Sequence, residues 1–288
     1  MSQILAERIV SKMKCKFLIL FVVAAMAALL YAPVVSAAPI LGDDLASFAV
    51  LGASGVTNVA MSTIGGNLGS APNPSVGGGY VFTSGSLQAD TALAQSAQLQ
   101  LGAAVLALDA FGVGTTIPGG DLDAWQTAHG GFIAPGTYTV PAAAVNLTGN
   151  LILNGLGSNT AMWVFQFPST LITSTTSNVT VTNVGDGADV GLYWNVDSAA
   201  TINGPTFAGN VLAYGLISND GDLTDCGRLL SAASQVTLIQ DNISITGCAG
   251  GSCGYDQGGV GVVAEPATML LLGLGLIGLS GLRRKFKN

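Results

Sequence analysis

SNVTVTN (177–183), SAATING (198–204) and SQVTLIQDN (234–242) decide the fold class of this chain. Every second residue is apolar and those between are mostly Thr, Ser, Asn or Gln, the period of a strand with one buried and one presented face. With Val179, Val181, Ile202, Val236 and Leu238 inward, the outward set is Thr180, Thr182, Thr201, Asn203, Gln235 and Thr237, with Ser198 beside them.

The same chemistry extends from Phe48 to Ile245, where short stretches rich in Val, Ile, Thr and Ser are punctuated by Gly, Asn and Asp. Small apolar strands recur as VGLYWNV (190–196), SAATI (198–202), AGNVLAYGLI (208–217), GRLLS (227–231) and QVTLI (235–239). Comparable elements repeat at roughly 18 to 22 residues, within the range of solenoid coils. The period is irregular, which leaves a β-sandwich open beside a solenoid in a mainly β chain. One segment differs. LQADTALAQSAQLQLGAAVLALDAF (87–111) has no β-branched run and sets Leu93, Ala97, Leu101, Ala104 and Leu108 on a helical repeat. The spacing predicts an amphipathic helix over 88–110, which needs an apolar flank to lie against.

Charge placement narrows the function. The 288 residues carry nine Lys and Arg; Arg8, Lys12, Lys14 and Lys16 crowd one end and Arg283, Arg284, Lys285 and Lys287 the other. Between 39 and 264, Arg228 stands alone against 14 aspartates and no glutamate. Such a surface repels phosphate backbones, so nucleic acid and anionic lipid are not partners of this part of the chain. Catalysis fares poorly for want of side chains. Acid–base and nucleophilic chemistry draws on His, Lys or paired carboxylates in a cleft, and this stretch has His129, Arg228 and no Lys. His129 reads as a surface or capping residue, Asp121 and Asp123 as helix-start chemistry, and Arg228 as the partner of a local carboxylate or carbonyl. No catalytic residue, metal ligand set or cofactor is expected. The aspartates of NDGDLTD (219–225) lack the complete calcium-loop pattern and read as an acidic turn.

The ends carry addresses. A basic stretch to Lys16, the apolar run FLILFVVAAMAALL and VVSAAP form a secretory signal cleaved after Ala37. The expected organisation is therefore 1–37 signal peptide, 38–258 β domain, 259–264 linker and 265–288 sorting segment. Cys15 leaves with the signal. Cys226, Cys248 and Cys253 remain in a compartment that permits disulfides. Cys226 and Cys248 lie about one coil apart and are the favoured pair, with Cys248–Cys253 competing. GLGLIG (273–278) satisfies a dinucleotide pattern but lies inside an apolar tail with no strand–turn–helix context.

Two resemblances follow from the quoted residues. EPATMLLLGLGLIGLSGLRRKFK (265–287) resembles the PEP-CTERM sorting signal of Gram-negative bacteria, with Glu265 and Pro266 at its core and Arg283 and Arg284 closing the apolar run. The resemblance implies transient inner-membrane anchoring, processing by an exosortase-type enzyme, and release to the cell surface or into exopolysaccharide. In order along 41–246, FAVLGASGVTN, STIGGNLG, the Ala/Gln-rich helix, APGTYTV, LTGNLILNG, AMWVFQFPSTL, VGLYWNVDSAATINGPTFAGNVLA and GRLLSAASQVTLIQDN resemble the ice-binding protein family. That resemblance implies a discontinuous right-handed β-helix of triangular cross-section with one long helix alongside, and an ice crystal surface as partner. Stacked strands about 4.8 Å apart with outward residues every ~6.7 Å would then hold side chains, and water, on a lattice of the order of the oxygen spacings in ice.

Overall fold

The structure, a computed structural model, describes residues 39–59, 61–187, 189–219, 221–248 and 255–256. The signal peptide, Cys253, the linker and the sorting segment lie outside the described residues. Every pairing between the strands is parallel, and the pairings form three stacks. The first contains Gly136–Thr139, Met162–Phe167, Gly191–Val196, the second halves of Thr206–Ala213 and Thr224–Ser231, then Phe48–Gly52, Asn67–Ser70 and Leu87–Ala89. The second runs from Asn150–Asn154 through Asn178–Thr182, the first halves of the same two long strands, Asn242–Ser244 and Ser62–Gly65 to Tyr80–Ser84. The third is Leu171–Ile172, Ala200–Thr201, Ile217–Ser218, Gln235–Leu238, Gly55–Asn58 and Val76–Gly77.

The chain visits stack one, then three, then two, and repeats, so each circuit adds one strand to every stack. The stacking order is not the chain order. The circuit ending at Ser244 lies against Ser62–Gly65, and Leu229 pairs with Val50. The amino-terminal coils are thus stacked beyond the carboxy-terminal ones. This explains why a single period does not run through the sequence.

The two long strands turn from stack two into stack one at Gly209 and Gly227. Gly209 has φ 105°, and a Cβ there would sit 2.4 Å from Leu192 Cγ; one on Gly227 would lie 2.0 Å from the Gly209 carbonyl oxygen. Only glycine fits such a close corner. Inside, Phe165 and Trp194 stack at 4.5 Å, with Tyr138 and Phe207 on either side of them. The indole nitrogens donate to the carbonyls of Ile133 (from Trp163, 3.1 Å) and Ala208 (from Trp194, 2.9 Å), so the large rings are buried without orphaned donors.

Helix α1 is Asp43–Ala46, α2 is Ala92–Asp109 and α3 is Leu122–Ala128. The helix expected over 88–110 is α2. Its start lies later because Leu87–Ala89 pairs as a strand with Leu68–Ser70, and Thr91 caps the helix by accepting from the Ala94 N–H. Ala94, Ala97, Leu101, Ala104 and Leu108 are buried against Leu51, Val164, Tyr193, Leu212 and Leu230 on the outside of stack one. Each fully buried leucine there contributes roughly 1.5–3 kcal/mol. Stack one is therefore closed to solvent partners along the helix.

Candidate functional site

Register decides which outward side chains lie side by side. On stack three, Ile172 pairs with Thr201, Thr201 with Ser218, and Thr237 with Thr57, which faces Gly77; the Ile217–Val236 pair puts Ser218 beside Thr237. Thr201, Ser218, Thr237 and Thr57 thus form an unbroken hydroxyl column on successive coils. Their strand neighbours Ala200, Ile217, Val236 and Val56 are all buried in the bore, which fixes the direction of the column. The Thr57 hydroxyl donates to the Thr237 hydroxyl at 3.2 Å across the join between the two ends of the domain. Thr57 is exposed and the other three are half-buried beside one another. The column contains no ionisable group. β-Branched Thr has restricted χ1 in a strand, so its methyl and hydroxyl are held at low entropic cost.

Stack two carries a second polar column, Asn150, Asn178, Thr206, Thr224, Asn242 and Thr63. Two features interrupt its surface. At one end α3 reaches over the edge: Gln126 donates to the Asn150 carbonyl and accepts from the Ile152 N–H. Midway, Cys226 is bridged to Cys248, with the Cα atoms 5.5 Å apart. The bridge fastens 248 over this side, and Ala208, the register partner of Cys226, is buried. Among the described residues, stack three has no helix over it and no such bridge.

The structure separates the residues singled out from the sequence. Thr201, Gln235 and Thr237 are on stack three, whereas Thr180 and Thr182 are on stack two, where the Thr182 hydroxyl donates to the Leu153 carbonyl at 3.4 Å. Ser198 is exposed in the turn leading to Ala200, and Asn203, just past Thr201, donates its N–H to the Thr173 hydroxyl. Sequence reading missed Thr57 and Ser218. GVTN (55–58) does alternate, but nothing local says that it adjoins a strand 180 residues away; Ser218 ends a strand of two residues, too short for a period.

Most of the ionisable groups singled out from the sequence serve structural contacts away from stack three. His129 caps α3 and stacks on Trp125 with ring centroids 3.7 Å apart. Arg228 is fully buried outside stack one, pairs with Asp256 at 3.1 Å, and also donates to Asn210 and to the Ala46 carbonyl. Asp121 caps α3 through the Ala124 N–H, while Asp123 accepts from the N–H groups of Thr148 and Gly149. The acidic turn of 219–225 is pulled apart: Asp222 is exposed, whereas Asp225 points into the bore between its register partners Phe207 and Ile243. Burial drives the Asp225 carboxyl well above the usual carboxylate range, Arg228 opposing and Asp241 adding to the effect. Both Asp225 oxygens lack a hydrogen-bond partner. Among the described residues no three His, Cys, Asp or Glu side chains converge to hold a metal.

Comparison with known proteins agrees with the mainly β, parallel fold. Residues 50–244 match the family described as ice-binding-like, and 262–285 match the PEP-CTERM protein-sorting motif. The chain is 34% identical over 252 residues to an ice-binding protein of Nostoc sp. (strain HG1), covering 84% of this chain and 86% of that one. Among solved structures it is similar to an ice binding protein from an Antarctic biological consortium, with a TM-score of 0.59, 28% identity and coverage of 72% and 90%. It is also similar to the ice-binding protein of the Antarctic ascomycete Antarctomyces psychrotrophicus, with a TM-score of 0.59, 26% identity and coverage of 74% and 100%.

Proposed function

The chain belongs to the ice-binding-like family, and from that premise we propose that it binds ice through stack three, with the column Thr201, Ser218, Thr237 and Thr57 as the centre of the adsorbing face. The observation that carries the choice of face is the in-register run of hydroxyls on successive coils of the one stack that, among the described residues, neither helix nor disulfide overlies. Parallel coils about 4.8 Å apart repeat each hydroxyl at a fixed interval, and the bore behind is packed with rigid side chains, so water held there has crystal-like spacing before ice arrives. Gln235 flanks the column one pleat away. Adsorption needs no proton transfer and no bond cleavage. The chain acts without catalysis in this reading, which is supported by His129 and Arg228 being engaged in structural contacts. The right-handed winding and triangular section implied by the resemblance belong to the same proposal: three parallel stacks visited in turn support a three-sided coil, and the right-handed rule for connections between parallel strands supports the winding.

The sorting motif at 262–285 carries the protein out through the membrane to the cell surface or beyond. We read Glu265 and Pro266 as the processing core and Arg283 and Arg284 as the cytoplasmic stop, after removal of a signal peptide at 1–37 and ahead of a 259–264 linker, in a Gram-negative envelope. Exopolysaccharide is a second partner in this reading, supported only by the sorting motif. Ice-affinity partitioning of residues 38–261 tests the face. Thr201→Tyr with Thr237→Tyr is expected to lower the ice-bound fraction by about tenfold or more, equivalent to at least ~1.4 kcal/mol, while Thr180→Tyr on stack two leaves it unchanged. Equal partitioning of the stack-three double variant and the wild type would discard this face.

A further inference from the structure

The two ends of the coil are finished differently. At the end near α3, the side chains of Asp123 and Gln126 occupy the outer backbone groups of 148–152, and Leu122 is fully buried over the bore. At the other end, Tyr80–Ser84 closes the larger sheet and Val76–Gly77 the smaller one, with no strand beyond either among the described residues. The residues that should be core there are not covered: Leu87, paired with the buried Leu68, is 48% exposed, and Val76, Tyr80 and Phe82 are only half-buried against the bore. Val81 on the outer face is 47% exposed. An open, flat edge with exposed apolar side chains is what natural sheets block with charge or cover, and terminal repeats of a solenoid need a polar cap. Here residues 45–89 contain no charged residue at all.

We propose that this end is the interface for a second copy of the chain, which docks its own Tyr80–Ser84 antiparallel to the first. Three observations select that partner. The unpaired N–H and C=O groups of Tyr80–Ser84 match those of an identical strand, and a strand can meet itself about a two-fold axis only in antiparallel sense. At the α3 end stack two has no free edge to accept Tyr80–Ser84, because Asp123 and Gln126 already fill it, and stack one ends there in only the two residues Thr115–Thr116, so head-to-tail stacking finds no edge of matching length and the assembly closes at two. Finally, 14 aspartates against one arginine between 39 and 264 make most faces of two copies repel, whereas the uncharged end does not.

Sedimentation velocity of residues 38–261 tests the proposal, because this stretch forms one compact unit and the Antarctomyces protein, matched over its whole length by 74% of the chain, is solved as such a unit. The expected result is a monomer–dimer equilibrium in the micromolar range. Val81→Lys places a charge on the edge without entering the bore, and is expected to weaken association at least about tenfold with an unchanged thermal melting curve. Ala107→Lys, exposed near the far end of α2, adds the same charge remotely and should leave the dimer intact. A wild type that stays monomeric throughout would overturn the proposal and leave the end to a different partner. Equal effects of the two lysine variants, or none from Val81→Lys, would overturn it as well.

Discussion

Removing the Cys226–Cys248 bridge tests whether the last coil is held by a covalent staple or by packing alone. The two cysteines are 22 residues apart and close a loop containing Gln235–Leu238 and Asn242–Ser244. In the chain-entropy account, a closed loop of that length lowers the entropy of the unfolded chain by roughly 11 cal/mol/K, or about 3.4 kcal/mol at 25 °C. For a domain of this size each kcal/mol moves the melting midpoint by about 2–4 °C, so Cys226→Ala with Cys248→Ala is expected to melt about 7–14 °C lower. Cys253→Ser in both proteins prevents the third thiol from forming a substitute bridge. The assay is reversible thermal unfolding followed by circular dichroism, with urea unfolding at 25 °C to read the free energy directly. Ice-affinity partitioning near 0 °C, far below either midpoint, should be unchanged, since neither cysteine belongs to the hydroxyl column. A loss below about 1 kcal/mol would refute the argument, showing that the loop is already restricted in the unfolded chain or that the coil 228–244 melts independently of the bridge.

Other perturbations separate the parts of the fold. The Asp225 carboxyl is raised by desolvation, with Arg228 opposing and Asp241 reinforcing, so the folded chain keeps a proton that the unfolded chain releases near pH 4; stability is complete below that pH and falls as pH rises through the folded-state value. Asp225→Asn is therefore expected to raise the urea midpoint at pH 7 and to flatten its decline above about pH 4, leaving a smaller slope from Asp241, also raised mainly by burial. Arg228→Met breaks a buried pair with Asp256 and should cost about 3–5 kcal/mol in urea unfolding, although Arg228 lies on stack one, remote from the column. Leu101→Ala, at a fully buried position of α2, is expected to cost about 2–5 kcal/mol with ice partitioning intact. Lost ice affinity in a variant that remains folded would tie the helix face to function.

Much was legible in the sequence because strand alternation and helical repeats are local. SNVTVTN and SQVTLIQDN specify which residues face the bore, and all five inward assignments, Val179, Val181, Ile202, Val236 and Leu238, are buried. The Ala/Leu/Gln repeat of 92–109 announces a helix that needs an apolar flank, and the cysteine spacing matches one coil. Tertiary structure alone decided which strands are neighbours. Parallel pairing joins segments through main-chain groups that every residue has, so nothing in GVTN at 55–58 or QVTL at 235–238 names the other as partner, and the column crossing that join exists only once the first coils are stacked beyond the last. Exposure was equally non-local: α2 closes stack one and the disulfide crosses stack two, which leaves Thr180 and Thr201, alike in sequence, on different faces. Asp225 reads as part of an acidic turn, yet the register that sets it between Phe207 and Ile243 sends its carboxyl inward. A period along the chain can tell in from out, but the order in which coils stack, and what then covers each face, is settled only by the long-range packing that buries the bore.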